Sequence, residues 1–123
     1  MLNLPPAVRV FLCTQPADMR RSFDGLAVMA EYVMQRDPFS GHLFVFCNKR
    51  SDRVKILYWD RTGYAIWYKR LEKGSFRFPA VDAKDCLEIE AMDLAMLLEG
   101  IELSSVKRRC RFFRRPHASQ DLS

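Results

Sequence analysis

The stretch Arg53–Leu71, RVKILYW-DRTG-YAIWYKRL, constrains the fold more than any other part of this chain. Two runs rich in β-branched and aromatic residues flank Asp60-Arg61-Thr62-Gly63, a segment suited to a reversing turn with aspartate first and glycine last. The pattern predicts an antiparallel hairpin with a three-residue loop, a bulge and Gly63 in the left-handed position. Pairing Asp60 with Tyr64 sets Tyr58 opposite Ile66, Ile56 opposite Tyr68, Leu57 opposite Trp67 and Lys55 opposite Lys69, because antiparallel partners keep a constant index sum. One face then carries Val54, Ile56, Tyr58, Ile66 and Tyr68 and reads as the core. The other carries Arg53, Lys55, Leu57, Trp59, Ala65, Trp67, Lys69 and Leu71. A slip of one residue would pair Trp59 with Tyr64 and mix these faces.

The flanking segments supply the remaining elements. Ala7–Cys13 and Leu43–Cys47 are short, apolar and bounded by turn residues, and are predicted as strands. Between them, from Asp18 to Arg36, Met19, Phe23, Leu26, Ala27, Ala30, Val33 and Met34 recur at three- and four-residue spacing, the mark of an amphipathic helix that Asp37-Pro38 would stop. Gly25 inside that helix costs about 1 kcal/mol relative to alanine, which fits close packing, a backbone approach or a tolerated accident alike. Phe76–Phe78 is predicted as a short closing strand and Val81–Ile89 as loop. A short acidic helix near Ala91–Glu99 follows, with Ala91, Leu94, Ala95 and Leu98 on one face and Gly100 as its stop. With 123 residues the chain has room for one domain. The expectation is an α+β domain over residues 1–103, with a twisted antiparallel sheet of four or five strands, the long helix packed on it and the short helix near the end. Residues 104–123 are expected to form a basic, flexible tail.

Charge is unevenly distributed. Residues 1–40 are neutral, 41–80 carry net +6, 81–103 net −6 and 104–123 net +5. An anionic partner is therefore to be sought at the basic middle and tail. The candidate DNA-binding side chains are Lys49, Arg50, Arg53, Lys55, Arg61, Lys69, Arg70, Lys73 and Arg77 in the middle and Lys107, Arg108, Arg109 and Arg111 in the tail. Lysine and arginine interleaved with flat aromatics neutralise phosphates and stack bases. Leu57, Trp59 and Trp67 are candidates for base stacking or for an apolar patch that touches a protein partner. An anion bridging Lys55 and Lys69 would explain like charges in opposition, as would screening by solvent.

Catalytic chemistry has less to stand on. The acids concentrate in residues 82–102, where an exposed helix face accounts for most of them, and His42 has no nucleophile motif beside it. Cys13, Cys47, Cys86 and Cys110 lack metal-ligand spacing, so no metal site and no cofactor is expected. No segment has the length of a membrane span or the form of a signal peptide, and the expectation is a cytoplasmic protein with reduced thiols and no membrane partner.

The blocks ADMRRSFDGLA, DPFSGHLFVFCNKRSDRVKILYWDRTGYAIWYKRLEKGSFRFP and LAMLLEGIEL, spread from about Val8 to Leu103, resemble the TnpB accessory proteins of the IS-sixty-six family of bacterial insertion sequences. The resemblance implies a non-enzymatic factor needed for transposition beside a separate DDE transposase, and supplies no catalytic residues. DNA and that transposase are the expected partners. The alternatives are a module that touches only protein, either the transposase or a second copy, and, third, a metal-dependent nuclease.

Overall fold

The run Leu43–Cys47 is apolar at every position, and a strand of that kind is stable inside a sheet covered on both faces. The computed structural model, which describes residues 7–78 and 85–100, places it there, with all five residues buried. The chain order is β1 (Val10–Cys13), α1 (Phe23–Val28) running directly into a π-helical turn (Met29–Val33), β2 (Leu43–Cys47), β3 (Arg53–Trp59), β4 (Tyr64–Arg70), β5 (Cys86–Ile89) and α2 (Ala91–Leu98). The five strands form one sheet in the order β4-β3-β2-β1-β5.

The α+β class and the single small domain agree with the sequence reading, but the sheet is mixed. β1 and β2 run parallel, with Val10 opposite Leu43 and Leu12 opposite Val45, while every other pair is antiparallel. The helix lying between β1 and β2 provides the long crossover that a parallel pair requires.

Two cores result, one on each face. Leu26, Met29, Ala30 and Met34 of the long helix pack on Phe11, Phe44, Phe46 and Leu57. On the opposite face α2 contributes Leu94, Leu97 and Leu98 against Val10, Leu12, Val45, Val54 and Ile56. The buried stripe of α2 therefore differs from the expected one, since Ala91 and Ala95 face solvent and Leu97 is fully buried. The helix is closed by the Glu90 N–H donating to Asp93 at 3.2 Å, and by Gly100 at φ +84° past its end.

The long helix starts later than its periodicity predicts. Asp18 instead organises a turn, accepting from the Arg20 N–H at 2.9 Å and from its guanidinium, so regular helix begins only at Phe23. Gly25 packs closely there, since a Cβ would stand 3.1 Å from the Arg21 Cβ and the Arg21 side chain would have to give by a few tenths of an ångström. Left-handed Gln35, at φ +57°, ends the helix just before Asp37-Pro38.

The hairpin register is the one-residue slip. Trp59 pairs with Tyr64, Leu57 with Ile66, Ile56 with Trp67, Lys55 with Tyr68, Val54 with Lys69 and Arg53 with Arg70. Lys55 and Lys69 are thus on opposite faces. Four residues, Asp60–Gly63, lie between the last cross-strand pair, Trp59 and Tyr64, so the expected three-residue loop is not formed. Arg61, at φ +54°, takes the left-handed position expected of Gly63, and the Asp60 N–H donates to the Gly63 carbonyl at 2.7 Å. Because both faces of this sheet are covered, either register buries apolar side chains, and alternation alone does not choose between them.

Two further differences concern the end of the chain. Phe76–Phe78 is not a strand; it is held by the Phe76 N–H donating to the Ser51 carbonyl at 2.6 Å, with Phe76 buried. Cys86–Ile89, within the segment read as loop, is β5. Leu87 and Ile89 point into the α2 core, and Glu88 takes the Arg9 guanidinium through two bonds of 2.8 and 2.7 Å. The tail candidates Lys107, Arg108, Arg109 and Arg111 lie outside the described residues.

His42 ties β1 to β2 where the parallel pair begins. Its Nδ1 accepts the Arg9 backbone N–H at 3.0 Å, which requires that nitrogen to be unprotonated. Burial, and then the nearby Arg9 charge, hold its pKa below the ordinary value. The unfolded chain therefore takes up a proton first, so this contribution is present above the usual histidine pKa of about 6.5 and is lost as pH falls below it. Urea melts at two pH values, above and below that point, are expected to show lower stability on the acid side. The difference should shrink in His42→Asn, which keeps an acceptor but does not titrate.

Candidate nucleic-acid interface

The sheet brings most of the basic middle of the chain to one end. Asn48 builds the turn between β2 and β3: its side-chain carbonyl accepts the Asp52 and Arg53 N–H groups at 3.1 and 3.0 Å, and its amide donates to the Asp52 carboxylate at 2.6 Å. That last bond holds the Asp52 carboxyl below its ordinary range. Lys49 and Arg50 are exposed at the tip of the turn. Backbone bonds from Leu71 to Asp52 (2.8 Å) and from Phe76 to Ser51 then bring the segment after β4 alongside it, which adds exposed Lys73 and Arg77.

Arg53 and Arg70 are direct cross-strand partners at this end. Opposed like charges destabilise a sheet by a few tenths of a kcal/mol or more, and an anion between them removes the penalty. They line an open cleft of about 340 Å³ together with Tyr68 and Glu72. Glu72 meets Arg70 at 3.4 Å, an exposed contact of little strength that a phosphate can displace.

Two lysines predicted to bind DNA have other work. The Lys55 ammonium is buried beneath the α1 side of the sheet, where it donates to the carbonyls of Met19 and Arg21 at 2.8 and 2.7 Å and lies 4.8 Å from the Tyr68 ring centre. Lys69, on the opposite face, donates to the Leu98 carbonyl at 3.0 Å and closes the end of α2. Arg61 is at the other tip of the hairpin, roughly 20–25 Å along the strand from Arg53.

The three stacking candidates do not form one patch. Leu57 is fully buried under α1, and Trp67 is on the α2 face, packed against that core. Trp59 belongs to an aromatic group at the hairpin tip, with edge-on contacts to Phe39 at 5.0 Å and Tyr64 at 5.1 Å. The aromatic that accompanies the arginines is Tyr68, 48% exposed, which the predicted register assigned to the core. Arg20 and Arg21 were also not singled out from sequence. The grip of Lys55 on Met19 and Arg21 carries both to the same end, where Arg20 is paired with Asp18 at 2.7 Å and lowers that carboxyl to about 2.

The described thiols show no sign of activation. Burial pushes Cys13 and Cys86 up and Cys47 to about 12, leaving them protonated near neutral pH. Among the described residues no group of three or more His, Cys, Asp or Glu is placed to hold a metal ion, and no described helix is long and apolar enough to cross a membrane.

A family model described as "IS66 Orf2 like protein" matches residues 8–108, which takes in both helices, the whole sheet and the basic end. The chain belongs to the IS66 Orf2-like family. That membership associates it with IS66 insertion sequences and points to an accessory role in transposition. Two relatives come from Sinorhizobium fredii, and both are described as uncharacterised. The protein y4jC is 36% identical over 110 residues, covering 89% of this chain and 92% of its own. The protein y4hO is 34% identical over 102 residues, covering 83% and 88%. No solved structure matches.

Proposed function

We propose that this IS66 Orf2-like protein assists transposition by binding DNA at the basic end of its sheet, without catalysing a step itself. The observation that carries the reading is the Arg53–Arg70 opposition over an open cleft, with Lys49, Arg50, Lys73 and Arg77 around it. Such contacts hold phosphates and position a protein without reading sequence. The test is Arg53→Gln with Arg70→Gln. This variant relieves a like-charge pair and so is expected to fold as the wild type. Its affinity for duplex and single-stranded DNA should fall at least tenfold at low salt. The slope of log affinity against log salt should flatten by about two, the number of phosphate contacts removed. Unchanged affinity in the folded double variant overturns the reading.

The hairpin tip at the far end of the sheet favours a second contact, with the transposase. Phe39 is 57% exposed there, stacked on Tyr64 at 5.5 Å, and exposed aromatics of this kind anchor protein interfaces. A transposase pull-down in the presence of nuclease separates the two contacts: a complex that survives is held by protein, and one that is lost was bridged by DNA.

A further inference from the structure

We infer that Tyr68 is a stacking platform for an unpaired base, so that the basic end prefers single-stranded DNA over duplex. This deepens the DNA-binding reading and rests on it. Tyr68 lies two residues before Arg70 on the same face of edge strand β4, about 7 Å along the chain. Tyr68 lines the same open cleft as the two arginines. Phosphate-binding groups and a flat ring are thus within a nucleotide of one another.

The surroundings of the ring separate it from an ordinary surface tyrosine. On its protein side the buried Lys55 ammonium, 4.8 Å from the ring centre, is fixed by two carbonyls and cannot swing away. A cation held against one face orients the ring through its quadrupole. Among the described residues β4 is the sheet edge, and Tyr68 is left about half exposed there. In a duplex the base faces are occupied by their neighbours, whereas a single strand can turn a base onto the ring while Arg53 and Arg70 take the flanking phosphates. Stacking of this kind accepts any base, since every base has a π-face.

The experiment uses the full chain with a short oligothymidine and a duplex of equal length, followed by fluorescence anisotropy. Tyr68→Ala is expected to weaken oligothymidine binding by about tenfold and leave duplex binding within twofold, while Tyr68→Phe keeps wild-type affinity for both. Because the alanine variant also loses a contact with Lys55, a second measurement avoids dependence on its stability. Oligothymidine carrying 5-iodouracil, irradiated on the wild-type protein, should cross-link at Tyr68. If the Arg53→Gln, Arg70→Gln variant loses DNA but Tyr68→Ala weakens strand and duplex alike, or the cross-link maps elsewhere, the stacking inference falls and DNA binding stands. If the arginine variant loses nothing, both fall.

Discussion

A Lys55→Met variant is expected to melt roughly 10–20 °C below the wild-type protein, the shift that a loss of about 2–3 kcal/mol produces in a domain of this size. The methionine fills the stem's path but offers no donor. Two carbonyls, of Met19 and Arg21, then lose the ammonium that satisfies them at 2.8 and 2.7 Å. Each buried polar group left without a partner costs about 1–3 kcal/mol, discounted here because Arg21 is exposed and water can reach part of the loop. Lys55→Glu is expected to be worse. It points a carboxylate at two carbonyls with no donor between them, and should leave the chain largely unfolded. Thermal melts by circular dichroism check both. Wild-type melting of Lys55→Met would show that the loop before α1 does not depend on this lysine. Charge reversal at Lys55 is therefore no test of DNA binding, for any loss of affinity would report the loss of the fold.

How far the fold is legible in the sequence depends on what each signal measures. The amphipathic period from Met19 to Met34 finds the helix and, in Leu26, Ala30 and Met34, most of its buried face, because burial on one side leaves a periodic trace; it passes over buried Met29 and includes Phe23, which is exposed. It does not find where the helix begins, since Asp18 bonds locally in the turn before it. β5 is missed because four residues of alternating Cys, Leu, Glu and Ile are too few to show a period against an acidic background. The parallel pairing of β1 and β2 has a readable sign in the intervening helix, which an expectation of hairpins passes over.

Register is the costlier error, and its consequences run through the site. Alternation identifies two faces of the hairpin but not which residues of β4 share a face with which of β3, and with helices on both sides neither register exposes an apolar row. One slip moves Tyr68 from the core to the cleft, sets Arg70 rather than Lys69 among the α1-side cations, and separates Trp67 from Leu57 and Trp59. Local sequence does not announce this turn, because glycine is the usual left-handed residue and here arginine takes that role. Composition correctly located the basic region, since net charge by segment is insensitive to register. It could not separate cations that face solvent from Lys55, which satisfies two backbone carbonyls, and Lys69, which satisfies one.

Leu57→Ala distinguishes core from contact surface in the same way. Leu57 is fully buried between Phe44 of β2 and Ile66 of β4, its cross-strand neighbours, beneath the long helix. Truncation removes apolar contact and leaves a cavity that a sheet paired on both sides cannot close, so the expected loss is about 2–5 kcal/mol in urea unfolding. Phe39→Ala is the counterpart at the hairpin tip. Phe39 is more than half exposed, and its removal gives up contacts with Trp59 and Tyr64 at the surface, for an expected loss of about 1 kcal/mol. If transposase contact is made at the tip, Phe39→Ala should abolish a nuclease-resistant complex while remaining folded. Leu57→Ala should weaken that complex only in proportion to the fraction unfolded. Stability near wild type in Leu57→Ala would mean that β3 is not covered on its α1 face, and the two-sided sheet would have to be abandoned.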